Sequence, residues 1–275
     1  MRLLALAVLL ALRASALAAD ADGLYLEADQ ALTGDNPFGM TTVFKLHPGE
    51  PMDALDAAAG DPHWLERIAR WQLQIYDFDE KKVDYRQGRA SPLKDTFVWS
   101  PVTPTGELLR DGFYRAVFAW EDLEGRRHRT DPLQVAVLTP PGLREIAGPQ
   151  VRFSLNADSL VFRLSEDFTF APGRWEVKAE TLPSLEKIAT YLKRYPDNRV
   201  VVEGHADPTG DERSNLVLSR QRAQAVHDFL IERGLDPELV TFIGLGSSRP
   251  IAANDTPAGR AANRRVEISL RKAAI

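Results

Sequence analysis

GHADPTGDERSNLVLSRQRA, residues 204–223, opens as a glycine-punctuated turn and continues at helical spacing. Wound at about 3.6 residues per turn, Leu216, Leu218, Ala223, Ala225, Val226, Phe229 and Leu230 form one apolar arc. Asn215, Ser219 and Arg222 fall in the middle of that arc. A guanidinium aimed at apolar surface needs an anionic partner, because a buried unpaired charge is very costly. A candidate is Asp207, in the turn that feeds the helix. Such a pair suits a purely structural latch. It equally suits a dipole matched to a zwitterion, with Asp207 taking an ammonium and Arg222 a carboxylate. Spacing alone leaves both open.

Outward from this stretch, the helix is expected to run from about Asp211 to Arg233 and to end at Gly234. The continuous apolar run Val200-Val201-Val202 reads as a strand buried on both faces. Before it, Leu182, Leu185, Ile188, Ala189 and Leu192 recur at helical spacing, with Pro183 tolerated in the first turn. Residues 160–170 read as a strand, and Thr241–Gly244 and Val266–Leu270 as two more. The order β-α-β-α-β-β predicts an α+β domain with helices packed on one face of a mixed sheet. Ser247–Asn263, rich in Gly, Pro and Asn, reads as an Ω-like surface loop. Thr139-Pro140-Pro141-Gly142 is the expected domain boundary, which sets a domain over 150–275 apart from one over 19–140.

The N-terminal half changes period. Trp71–Tyr76, Thr96–Trp99, Phe113–Phe118 and Leu133–Val137 alternate polar and apolar residues between turn-forming residues, which predicts an antiparallel β-sandwich. Asp122-Leu123-Glu124-Gly125 is a hairpin turn whose glycine can take positive φ. Gly39–Leu46 reads as a further strand and Pro62–Arg70 as a helical turn. His47, His63 and His128 have no matching serine or carboxylate spacing and read as isolated surface residues; Trp99 and Trp120 read as core.

Composition narrows the function. With 275 residues, 44% of them hydrophobic and 27% charged, the chain can bury two sizeable cores. A net charge of −5 argues against nucleic acid and anionic membranes as partners. Without cysteine there is no disulfide, thiolate metal site or lipid-bearing cysteine. Arg2, the apolar run 3–12 and Ala16-Leu17-Ala18 form a signal-peptide pattern over 1–18, and ten apolar residues are too few to span a bilayer core that needs about 20. The mature protein is expected outside the cytoplasm. No cofactor is implied. His205 beside Asp207 lacks a third metal ligand, and Asn263-Arg264-Arg265 reads as salt-bridging arginines entering a strand.

Two resemblances add to this. The pattern Asp207-x-x-Gly210, Asn215, Leu218-Ser219-x-x-Arg222-Ala223, then Gly234, Gly244-Leu245-Gly246, Pro250, Asn254-Asp255-Thr256, Gly259-Arg260 and Asn263–Ile268 resembles the C-terminal domain of the OmpA family, over about residues 160–272. That family includes the Pal lipoproteins and the periplasmic part of MotB. The resemblance implies non-covalent peptidoglycan binding. Asp207 and Arg222 align with the residues that hold the zwitterionic end of diaminopimelate, Asn215 lines the same pocket, and Thr209 sits in the same loop. Ala206 and Ala171 depart from the family's polar residues there. In the other half, Ile75-Tyr76-Asp77, Trp99, Gly106, Asp111–Tyr114, Asp122 and Gly125 resemble the immunoglobulin-like domain of the FlgD type over about 70–138, with Ser100-Pro101 in place of the usual Asp-Gly. Such domains are spacers or assembly modules. The combined expectation is an exported, non-enzymatic, periplasmic protein of the wall or outer membrane, whose partner is peptidoglycan. The alternative is an envelope assembly adaptor whose immunoglobulin-like domain binds a protein. The barrel, lipid anchor and membrane helix of the named relatives are not expected here, which leaves open what the protein tethers to the wall.

Overall fold

The computed structural model describes residues 24–30, 37–38, 40–48, 64–89 and 95–272. The leader expected over 1–18, Gly39, and Pro62 and His63 lie outside the described residues. Two compact units emerge, the first drawn from residues 1–30, 42–99 and 111–138, the second from 31–41, 100–110 and 139–275. Among the described residues no helix is long and apolar enough to cross a membrane.

In the first unit, strands β1 (Leu24–Gln30), β2 (Thr42–Pro48) and β5 (Thr96–Trp99) form one antiparallel sheet. Strands β3 (Ile68–Tyr76), β4 (Lys82–Arg89), β6 (Gly112–Asp122) and β7 (Arg127–Arg129) form the other, in the order β4-β3-β6-β7, and β8 (Leu133–Val137) also pairs with β6. A 3₁₀ turn at Trp64–Arg67 leads into β3. Strand β6 shows why alternation works: Tyr114, Ala116, Phe118 and Trp120 all face inward and are buried. The two sheets meet across aromatic rings, with Trp71 and Phe97 centroids 4.9 Å apart and Trp99 and Tyr114 5.9 Å apart. The expected hairpin joins β6 to β7, with Gly125 at φ 81°. His128 differs from its reading as an isolated surface residue. It stacks on Trp120 and bonds the buried Asp122 at 3.0 Å. Burial raises the Asp122 carboxyl, but the hydrogen bonds from His128 and Arg126 outweigh it and hold the group well below the usual carboxylate range.

The second unit is a five-stranded mixed sheet in the order β12-β11-β13-β10-β9. It begins with a short helix α1 (Leu143–Ile146), then β9 (Val151–Leu155) and β10 (Ser159–Ser165), then α2 (Glu166–Thr169). Helix α3 (Leu182–Leu192) crosses to β11 (Arg199–His205), and α4 (Glu212–Glu232) crosses to β12 (Val240–Gly244). Helix α5 (Pro257–Asn263) precedes β13 (Arg265–Arg271). Only β11 and β12 run parallel. The expected βαβαββ order holds, with three corrections, the first being that the strand read over 160–170 ends at Ser165, where α2 begins. β9 adds an antiparallel edge strand, and the segment read as an Ω-like loop contains α5, capped by the Thr256 side chain and started by Pro257. Phe162, Val202 and Ile268 lie side by side in register, and with Leu185, Ile188, Val226 and Leu230 they make the core under the helices. Phe38 and Met40 belong to that same core, and Gly106 O accepts a bond from Phe153 N, so two excursions from upstream help to build this unit.

Candidate functional site

The site begins where β11 runs out. Val200, Val202 and Gly204 face the helices, and a Cβ on Gly204 would lie 2.0 Å from Ser219 O. Gly244 on β12 is as tight, its would-be Cβ 2.4 Å from Arg220 N. Glycine at both positions lets the N-terminal half of α4 lie directly on the two strands. Ser219 is fully buried there, and its hydroxyl donates to Leu216 O and accepts from Gly246 N. A larger apolar side chain at 219 would wedge the helix away. Leu216, placed in the apolar arc by the wheel, is instead 48% exposed, and in this half of α4 the buried positions are Ser219, Arg222 and Ala223.

The loop between β11 and α4 is tied by its own polar groups. Asp207 Oδ1 accepts from Thr209 N at 2.8 Å. Asp211 caps α4 by accepting from Ser214 N at 2.8 Å. Asn215 Nδ2 donates to both Asp207 O and Thr209 O, which explains an amide on the inner side of the helix. Asp207, Thr209 and Asn215 are therefore gathered at the first turn of α4, whereas Arg222 stands at the middle of the helix, and Asp207 and Arg222 do not pair. Arg222 Nη2 bonds Glu166 Oε1 at 2.7 Å, its Nε donates to Arg174 O at 2.9 Å, and its guanidinium lies over the Phe170 ring. Asp207 Oδ2 takes Arg264 Nη1 at 2.8 Å, and Arg264 Nε reaches Glu166 Oε2 at 3.5 Å.

The result is a chain of alternating charge, Asp207–Arg264–Glu166–Arg222, with Arg222 3% and Asp207 6% exposed. Burial pushes the Asp207 carboxyl up, but hydrogen bonds from Arg264 and Thr209 prevail and lower it; the bond to Asp207 in turn raises Arg264. Glu166 is the member that sequence reasoning missed, and Arg264, expected as a salt-bridging arginine entering a strand, takes Asp207 and Glu166 as its partners. Glu166 directly follows β10, and Arg264 directly precedes β13, so pairing those neighbouring strands through Ser165 and Arg265 brings both to the same end of the sheet.

On the face of the sheet turned away from α4, a second polar cluster stabilises β13. Glu267 accepts from Arg163 at 2.9 Å and Arg265 at 2.7 Å, and Glu203 bonds Arg249 and Arg271. His205 is buried among them, and among the described residues neither ring nitrogen has a hydrogen-bond partner. Burial first, then the nearby Arg265 charge, pull it down to about 4.

Residues 169–264, which span Phe170, the Asp207 loop, α4, α5 and Arg264, match the OmpA family model. This segment is an OmpA family domain. The chain is 30% identical over 252 residues to the peptidoglycan-binding protein ArfA of Mycobacterium tuberculosis, covering 86% of this chain and 66% of ArfA. It is 41% identical over 108 residues to outer membrane porin F of Pseudomonas aeruginosa, covering 39% of this chain and 31% of the porin. The peptidoglycan-associated lipoprotein of Brucella melitensis is 38% identical over 89 residues, which are 32% of this chain and 53% of the lipoprotein. The chain thus spans just under two thirds of ArfA and smaller shares of the other two.

Proposed function

We propose that this protein binds peptidoglycan non-covalently, without catalysis, by gripping the zwitterionic end of diaminopimelate in the stem peptide. Asp207 receives the ammonium and Arg222 the carboxylate, with Thr209 and Asn215 holding the loop that carries Asp207. The observation that carries this reading is the alternating ion-pair chain at the start of α4, inside a domain whose relatives include proteins named for peptidoglycan binding and association. A zwitterion suits such a place because it offers each internal charge a replacement partner of the same sign. Signal-directed export over residues 1–18 and a location at the wall or outer membrane belong to the same proposal.

Asp207→Asn and Arg222→Gln test it, because each removes one charge and leaves a polar side chain in its place. Losing a charge-assisted contact in a desolvated site costs on the order of 2–5 kcal/mol, roughly 30-fold or more in affinity. Each variant should remain folded and fail to co-sediment with purified sacculi. Wild-type binding by either folded variant would remove that residue from the site.

A second reading has its own observation. The first unit, proposed as an immunoglobulin-like spacer, exposes Phe78, Tyr85 and Phe113. Large exposed aromatics favour an adaptor role in which this unit holds an envelope protein. On that reading, polar replacement of these three residues abolishes capture of the partner and leaves sacculus binding intact.

A further inference from the structure

Building on the diaminopimelate reading, we propose that Glu166 is the specificity-determining residue of the site: it keeps the cluster neutral, so that a head group carrying both an ammonium and a carboxylate is accepted and a lone carboxylate is refused. Arg222 is almost wholly buried, and three contacts fix it: Glu166 at 2.7 Å, the Arg174 carbonyl at 2.9 Å and the Phe170 ring. The charge an incoming carboxylate would meet is therefore already answered by an internal one. Arg264, 30% exposed, is likewise shared between Asp207 and Glu166. Two guanidiniums and two carboxylates balance. Asp167, 3.8 Å from Arg264, is 74% exposed and water screens it.

Into so desolvated a cluster a lone anion brings uncompensated charge, which is costly where the effective dielectric is low. A zwitterion brings none. Its carboxylate competes with Glu166 for Arg222, and its ammonium finds acceptors in Asp207 and in Glu166 Oε2, a buried oxygen that accepts no hydrogen bond among the described residues. Without the Glu166 charge, Arg222 would be an exchangeable cation, and any carboxylate of suitable size would serve.

The test is calorimetric titration of the full chain with two probes: a stem tripeptide ending in meso-diaminopimelate with its side-chain amine free, and the same peptide with that amine acetylated. The wild type should prefer the free amine by more than about tenfold. Glu166→Gln keeps an acceptor for Arg222 and removes the charge. Its preference should shrink by about tenfold or more, chiefly because the acetylated peptide gains affinity. Glu166→Asp, which retains the charge, should keep the wild-type preference and guards against a Gln variant that fails to fold. An unchanged ratio in folded Glu166→Gln, or a collapsed ratio in Glu166→Asp, overturns the inference while leaving the diaminopimelate reading in place. A wild type that binds neither peptide overturns both.

Discussion

His205 sits two residues before Asp207, is 3% exposed, and has no hydrogen-bond partner for either ring nitrogen among the described residues. Its neutral form is the one the fold tolerates, since burial and Arg265 pull it from 6.5 to about 4. A depressed histidine means the unfolded chain binds more protons between those two values. The stability contributed by its neutral form is present in full above pH 6.5 and is lost as pH falls toward 4, a loss of about 3 kcal/mol. Denaturant titrations from pH 7 to pH 4 should show that slope, and His205→Gln should flatten it. A wild type equally stable at pH 7 and pH 4.5 would contradict the burial argument. The residue scale is also where sequence reasoning reached least far. That Arg222 needs an anion was legible from its position on an apolar arc, but the anion is Glu166, 56 residues away, and not the nearby Asp207. Asp207 in turn is held by Arg264, 57 residues away. Sequence proximity is a poor guide to pairing when strand pairing brings distant chain segments to one sheet end.

Strands and helices were more legible, for physical reasons that differ between them. Helix α4 and strands β6 and β11 declare themselves because one face or both must be apolar. Strand β4, Lys82-Val83-Asp84-Tyr85-Arg86-Gln87-Gly88-Arg89, buries no residue fully and so carries no alternation to read. Helix α5 escaped notice because its Pro and Gly resemble loop punctuation, yet Pro257 begins it and Gly259 is required by contact, a Cβ there lying 1.8 Å from Ala253 O. The element that positions the site is α4, and its seat is Gly204. Gly204→Ala puts a methyl group 2.0 Å from Ser219 O, so the helix must lift from β11. Overpacking of this kind costs about 1–3 kcal/mol, and it would also carry Asn215 and Arg222 out of line. The melting temperature should fall and sacculus binding with it. A Gly204→Ala protein as stable as the wild type would show that α4 packs more loosely than these distances require.

At the scale of the whole molecule, the domain boundary lies at Thr139 only in part. Phe38 and Met40 are 5% and 1% exposed within the core of the second unit, and partly buried Val102 and Leu108 pack against it. Arg152 bonds Glu107 at 2.6 Å, and Arg144 bonds Leu109 O. Burying one large apolar side chain is worth about 1.5–3 kcal/mol, so a fragment of residues 139–275 should fold but melt well below the same unit in the full chain. Equal melting temperatures would mean that these excursions contribute nothing. None of this was visible in the sequence, where residues 31–41 and 100–110 read only as parts of the preceding domain. The central claim is that the start of α4 is where a diaminopimelate head group binds. Amide and side-chain NMR of the full chain, titrated with a stem tripeptide ending in meso-diaminopimelate, tests it most directly. The largest and saturable shifts should fall on Thr209, the Asn215 side-chain amide and the Arg222 guanidinium. Saturable shifts that cluster elsewhere and leave these three unmoved would contradict it.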